Sequence, residues 1–174
     1  MLARMDVAEL ALCRFVNRST DLRVVRTSFR IVSRLGDGVF WYCLMALLPL
    51  AYGEAGARVT LQMALTALVG LTVYRYLKGH FVRERPHVAD VGVRAAAPAL
   101  DRYSFPSGHT LHAVVFTMLA IETFPELAGL LVPFAVMVAL SRVVLGLHYP
   151  TDVVAGAAIG YALATVSTLL RHLL

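Results

Sequence analysis

An all-α, polytopic transmembrane helical bundle is the fold this sequence predicts, on three observations. Of its 174 residues, 59% are hydrophobic and only 16% charged, against about 25% charge in a soluble domain of ordinary composition. Mean hydropathy is +0.71. The apolar residues gather into five nearly uncharged runs separated by short polar turns, each a candidate crossing. Nothing in the composition marks a second domain. Residues 1–174 therefore read as one membrane domain, with an amphipathic N-terminal region over 1–37 and a transmembrane bundle over 38–174.

Residues 2–35 come first and are too charged for a span. Leu2, Met5, Leu10, Phe15 and Val16 mix with Arg4, Arg14 and Arg18; Leu22, Val25, Phe29 and Val32 then alternate with Arg23, Arg26, Arg30 and Arg34 at a helical period. That pattern suits helices lying in the headgroup layer, or packed on a bundle through their apolar stripe. Arg4, Asp6, Glu9 and Arg14 also interrupt the first apolar stretch, so no cleavable signal peptide is expected.

Gly36-Asp37-Gly38 ends this region. Residues 39–52 form the first candidate span, opened by Phe40, Trp41 and Tyr42 in the manner of an interfacial aromatic belt. Residues 59–77 form the second, and a polar stretch follows from Gly79 to Phe105. The third spans 107–124, with Ser107 placed as N-cap. The fourth covers 127–147 and the fifth 153–170, where Gly156 and Gly160 permit close helix approach. A sixth crossing would have to lie within residues 2–35, against its arginines.

A formal charge of +5 implies anionic partners, namely lipid headgroups or phosphates. No basic stripe with interleaved aromatics points to nucleic acid. Cys13 and Cys43 are far apart and read as small apolar fillers, not as a disulfide or a metal site.

The remaining polar residues form three groups: Lys78 with Arg85-Pro86, then Pro106-Ser107-Gly108-His109, then Ser141-Arg142 followed by His148 and Asp152. Counting crossings between them places all three at the same membrane face. Lys78, Arg85 and Arg142 supply charge and bidentate donors for a phosphate. The amides at the start of the third span suit an anion, and Gly108 removes bulk there. His148 precedes Asp152 by four residues, the spacing at which side chains meet on one helical face, so a carboxylate can orient one ring nitrogen and leave the other as a nucleophile. His109, with no carboxylate within a turn, can act as a proton donor. Zinc on His109 and His112 is disfavoured, because no further ligand completes the set and three cations lie beside it.

In order and spacing these residues resemble the type 2 phosphatidic acid phosphatase superfamily, whose pattern is K-x6-R-P, P-S-G-H and S-R-x5-H-x3-D. Every fixed position is present between residues 78 and 152. The resemblance implies that Lys78, Arg85, Ser107, Gly108, His109 and Arg142 hold phosphoryl oxygens. It makes His148 the nucleophile that becomes phosphohistidine, Asp152 its orienter and His109 the acid. No metal or other cofactor is needed. The implied activity is hydrolysis of a lipid phosphate or diphosphate, such as undecaprenyl diphosphate, phosphatidylglycerophosphate, phosphatidic acid or a lipid A phosphate.

Family members resemble a six-span protein of the inner membrane with the site at the interface outside the cytoplasm. Seven arginines in residues 4–34 argue for the cytoplasmic face, but the catalytic cations must be discounted from that charge count, and the reading leans to the outward face. Alternative functions are a lipid phosphotransferase using the same intermediate, a vanadium haloperoxidase, which the apolar spans oppose, and a non-catalytic lipid-phosphate binding protein. Glu84 and residues 87–104 are placed to shape headgroup choice. Oligomeric state is not legible.

Overall fold

The computed structural model describes residues 2–99 and 101–173, with side chains from residue 7 onward. The side chains of Leu2, Arg4, Met5 and Asp6, part of the expected amphipathic pattern, lie outside the described residues, as does Leu100. The described residues form helices and connecting turns, without strands. In order these are α1 (Leu2–Asn17), α2 (Arg23–Arg34), α3 (Phe40–His80), the short α4 (Pro86–Ala89), α5 (Gly108–Thr123), α6 (Ala128–Val144) and α7 (Pro150–Leu173).

Helix α3 is two antiparallel arms joined at Gly53, whose φ of 57° and ψ of −131° reverse the chain. Only glycine adopts such a backbone readily. The reversal is visible in Thr60, whose hydroxyl donates to the Met45 carbonyl at 3.0 Å across 15 residues. The expected first and second spans are thus the arms 40–52 and 54–80.

Three helical stretches are long and apolar enough to cross a membrane: Arg23–His80, which contains both arms, Pro125–Val144 and Pro150–Leu173. Helix α5 has 16 residues, a rise of about 24 Å, and the arm 40–52 rises only about 20 Å. Both fall short of a hydrocarbon core of about 30 Å. The expected five runs all fold as helix, but two of them are shorter than a full crossing. Neither α1, with 16 residues, nor α2, with 12, supplies a sixth.

Helix α5 stands at the centre, packed on α3, α6 and α7. Its Leu111, Val115 and Leu119 are fully buried, with Met63 and Leu131 facing them from the neighbouring helices. The approach to α7 is close because Gly156 and Gly160 face α5: a Cβ on either would stand 2.5 Å from the carbonyl of Ser107 or Leu111. This is the role expected for the small residues.

Trp41 departs from expectation. It is only 1% exposed and packs with Phe40, Phe116 and Phe134 at centroid distances of 5.1 to 5.4 Å. The aromatic run is therefore largely core, and only Tyr42, 67% exposed, faces outward like a belt residue.

The N-terminal helices are docked on the bundle. Asn17 of α1 donates to the carbonyls of Arg94 and Val144, and its side-chain Oδ1 accepts from the Arg94 amide. Helix α2 packs on α6, with Phe29 against Ala96, Leu145 and Leu147. At the opposite end of the bundle, Arg171 pairs with Glu122 at 2.7 Å and Tyr52 donates to Glu126 at 2.8 Å.

Candidate active site

All three motif groups meet at one end of the bundle, as the crossing count requires. Lys78 comes from the last turn of α3, Arg85 from the N-cap of α4, Ser107 and Gly108 from the start of α5, and Arg142 from the last turn of α6. Past α6, the chain turns sharply at Gly146, whose φ is 72°. A Cβ there would stand 2.6 Å from the Arg94 carbonyl, so the turn needs glycine on two counts. Within it, the amides of Leu147 and His148 both donate to the Arg142 carbonyl, which ties the histidine to the arginine.

Arg85 is only 2% exposed and its donors are well used. Nη1 donates to the Leu147 carbonyl at 2.6 Å and lies 3.3 Å from His148 Nε2, while Nη2 donates to Asp101 at 2.7 Å. Asp101 also accepts from Lys78 and from the Tyr74 hydroxyl. Burial alone would push this carboxyl up, but the Lys78, Tyr74 and Arg85 contacts hold it at about 2, so it is ionised. A carboxylate thus sits among the expected phosphate ligands.

Arg142 is equally buried. Its Nη1 donates to Ser33 of α2, and its Nε is a buried donor with no partner among the described residues. Buried donors are normally satisfied, so this one marks where an acceptor belongs.

His148 and Asp152 face each other, but not on one helix as expected. His148 lies in the turn before α7, and its Nδ1 stands 3.6 Å from Asp152 Oδ2, longer than a hydrogen bond. Asp152 is fully buried and held by others: Oδ2 accepts from the Tyr149 amide and Oδ1 from Arg83, each at 2.8 Å. Arg83 in turn pairs with Glu9 of α1 at 2.7 Å and lies over the Tyr149 ring at 3.9 Å. Glu9 also accepts from the amide and hydroxyl of Thr151. Burial pushes the His148 imidazole down to about 4; Asp152 opposes the shift, while Arg142 and Arg85 add to it. We expect His148 to stay neutral as pH falls through 6.5. Titration of 15N-histidine resonances in detergent, assigned by difference against His148→Ala, checks this; a midpoint near 6.5 would contradict it.

His109 projects from the first turn of α5, and its Nε2 lies 3.4 Å from Asp37 of the turn between α2 and α3. It does have a carboxylate neighbour, brought by tertiary packing. His112 is turned away, with its ring nitrogens 2.9 and 3.3 Å from the carbonyls of Gly108 and Ala67. The two histidines do not converge on one point.

Ser107 holds the N-cap position without capping: its hydroxyl lies 3.0 Å from Thr110 Oγ1 and makes no cap bond to the helix amides. Its own amide donates to the Asp152 carbonyl at 3.0 Å. The first intrahelical bond runs from Leu111 to Ser107, which leaves the amides of Gly108, His109 and Thr110 without i−4 partners. The glycine at 108 has a packing cause, because a Cβ would stand 2.8 Å from the Tyr74 ring.

Asp101, Arg83, Asp37, Tyr74, Ser33 and Glu9 were not among the expected site residues. Arg83, two residues before Arg85, is signalled only by proximity. Glu9, Cys13 and Asn17 recur every fourth residue on α1, and all three face the His148 turn; Cys13 lies with its sulfur 3.8 Å from the His148 carbonyl. Burial, aided by Glu9 and Asp152, pushes the Cys13 thiol up to about 12, so it remains a filler, as expected.

Two cavities meet at His109 and Asp37. One, of about 450 Å³, is lined mainly by apolar side chains, among them Trp41, Met45, Leu68, Leu71 and Phe116. The other, of about 440 Å³, is polar, with Arg30, Ser33, Arg34 and Arg142 in its wall. Together they suit an amphiphile whose polar group lies beside the buried cations.

The chain resembles known proteins in sequence and in fold. The PAP2 superfamily model matches residues 56–173. The decaprenylphosphoryl-5-phosphoribose phosphatase of Mycolicibacterium smegmatis is 38% identical over 134 residues, 76% of this chain and 71% of that protein. A lipid A 1-phosphatase of Rhizobium etli is 29% identical over 165 residues, 83% and 71% of the two chains. In fold, the crystal structure of Aquifex aeolicus LpxE matches with a TM-score of 0.77 at 24% identity, over 91% of this chain and 93% of that one. The transmembrane PAP2 type phosphatidylglycerolphosphate phosphatase from Bacillus subtilis matches with a TM-score of 0.67 at 20% identity, over 97% and 87%. With a family model covering well over half its length and a relative at 38% identity, the chain belongs to the PAP2 superfamily.

Proposed function

We propose that this chain is a metal-independent membrane phosphatase that removes a phosphate from a lipid through a phosphohistidine on His148. The observation that carries the reading is Arg85 Nη1 standing 3.3 Å from His148 Nε2, with Lys78 joined to Arg85 through a shared Asp101 oxygen and the buried Arg142 Nε without a partner among the described residues. The phosphatase names of the relatives support it.

In this reading the phosphoryl oxygens lie against Arg85, Arg142, Lys78 and the free amides at the start of α5, displacing Asp101 from Lys78 and Arg85. These donors are fixed before substrate arrives, which is how such sites stabilise charge developing on the transferred group. His148 Nε2 attacks phosphorus, and the bond to the leaving oxygen breaks as His109 passes it a proton. Water then attacks the phosphohistidine, giving a proton to His109 and releasing inorganic phosphate and free His148. Asp152, held by Arg83 and the Tyr149 amide, stabilises the positive charge that His148 gains. The apolar cavity takes the lipid chain and keeps the headgroup at the membrane interface.

The test is phosphate release by purified protein from undecaprenyl diphosphate, phosphatidylglycerophosphate, phosphatidic acid and a lipid A phosphate, with and without EDTA. Release is expected from at least one, unchanged by the chelator. Activity lost to EDTA and restored by a divalent cation would overturn the metal-independent reading. No release from any lipid by folded protein would overturn the hydrolase reading, and transfer of phosphate to a second lipid would replace it with a phosphotransferase.

A further inference from the structure

The polar cavity holds more positive charge than one phosphate requires. Arg142 serves the reaction centre, but Arg30 and Arg34 line the same cavity from α2, one helical turn apart. Arg30 is anchored, its Nε donating to the Ala96 carbonyl. Arg34 makes no side-chain hydrogen bond or ion pair among the described residues. Against these guanidinium groups the cavity wall sets a single carboxylate, Asp37, which already faces His109.

An amphipathic helix in the headgroup layer would send such arginines to bulk lipid phosphates. Here the helix is fastened the other way. Ser33 accepts from Arg142, Phe29 packs on Ala96, Leu145 and Leu147, and Gly36 lies so close to Val138 of α6 that a Cβ would stand 2.7 Å from its side chain. The Arg30–Arg34 stretch is thereby part of the site wall.

We propose that Arg30 and Arg34 form a subsite for a second anionic group on the substrate headgroup, a phosphate beyond the one that is cleaved. Guanidinium groups suit this ligand because each offers paired N–H donors to two oxygens. The second phosphate is either the neighbouring phosphoryl of a diphosphate or a phosphate on a sugar. The proposal rests on the phosphatase reading only for the position of the cleaved group.

The test is equilibrium binding in neutral detergent micelles by His148→Ala protein, with and without Arg34→Gln. Three probes are used: phosphatidic acid, diacylglycerol diphosphate and a bis-phosphorylated lipid A. Arg34→Gln is expected to weaken binding of at least one doubly phosphorylated lipid about tenfold, the change for one lost charge-assisted hydrogen bond. Phosphatidic acid should change less than about twofold, and Arg34→Lys should recover part of the loss. Which doubly phosphorylated lipid responds identifies the source of the second anion. Equal weakening for all three lipids, or none, would overturn the subsite. An Arg34 effect seen only when anionic lipid is added to the micelles would also overturn it, assigning the arginine to the membrane surface. Wild-type phosphate release from the same lipids reports separately on the hydrolase reading.

Discussion

Replacing His148 with alanine is expected to lower the rate of lipid-phosphate hydrolysis by about ten-thousandfold or more, the usual scale for removing a nucleophile, while the bundle stays folded. The second half follows from what the imidazole does not do. Among the described residues its Nδ1 has no hydrogen-bond partner, and it stands 3.6 Å from Asp152. Asp152 keeps its bonds from Arg83 and the Tyr149 amide in the variant, and Arg85 keeps the Leu147 carbonyl. The change thus removes the reacting nitrogen without orphaning a buried charge. Phosphate release is read beside a thermal unfolding curve in detergent. Near-wild-type release from folded His148→Ala protein would end the nucleophile assignment.

Arg85→Lys is expected to lower kcat/KM by about a hundredfold, the scale for losing one fixed donor to a developing oxyanion. Two effects compete in this variant. Arg85 also holds Asp101 and the Leu147 carbonyl, and an orphaned buried polar group costs about 1–3 kcal/mol. Lysine can retain one of those bonds and the charge, whereas alanine would lose all of them, so lysine separates catalysis from stability. It cannot reproduce the planar fork that reaches Asp101 and the His148 side together. A rate loss much larger than the change in unfolding temperature can explain is the expected pattern. Unchanged kcat/KM would remove Arg85 from the phosphate set.

How much of this was legible in the sequence depended on distance along the chain. Lys78, Arg85, Ser107, His109, Arg142, His148 and Asp152 were readable because their residue types and spacings are themselves chemical, and because counting apolar runs put them at one end. Asp101 and Asp37 were not. Their partners lie 23 residues away at Lys78 and 16 at Arg85 for the first, and on a different helix for the second. Neither carboxylate is distinguished from a solvated loop residue by local pattern. The His148–Asp152 contact was expected for the wrong reason: the two meet across a turn, which α1 buttresses through Glu9, Cys13 and Asn17. Trp41 was misplaced because an aromatic run at the start of a span reads alike whether it meets headgroups or a neighbouring helix. Helix α2, read as lying in the headgroup layer or as packed on the bundle, takes the second course through Ser33, Gly36 and Phe29, contacts that appear only once α6 is beside it.

The most direct test of the mechanism is to trap the intermediate. Wild-type protein turning over a 32P-labelled lipid phosphate is quenched in alkali, where phosphohistidine survives, then digested and mapped. An acid-labile label is expected on the peptide that carries His148, absent from His148→Ala protein. Label on a different residue, or rapid phosphate release with no labelled peptide under conditions that preserve a phosphohistidine standard, would contradict it.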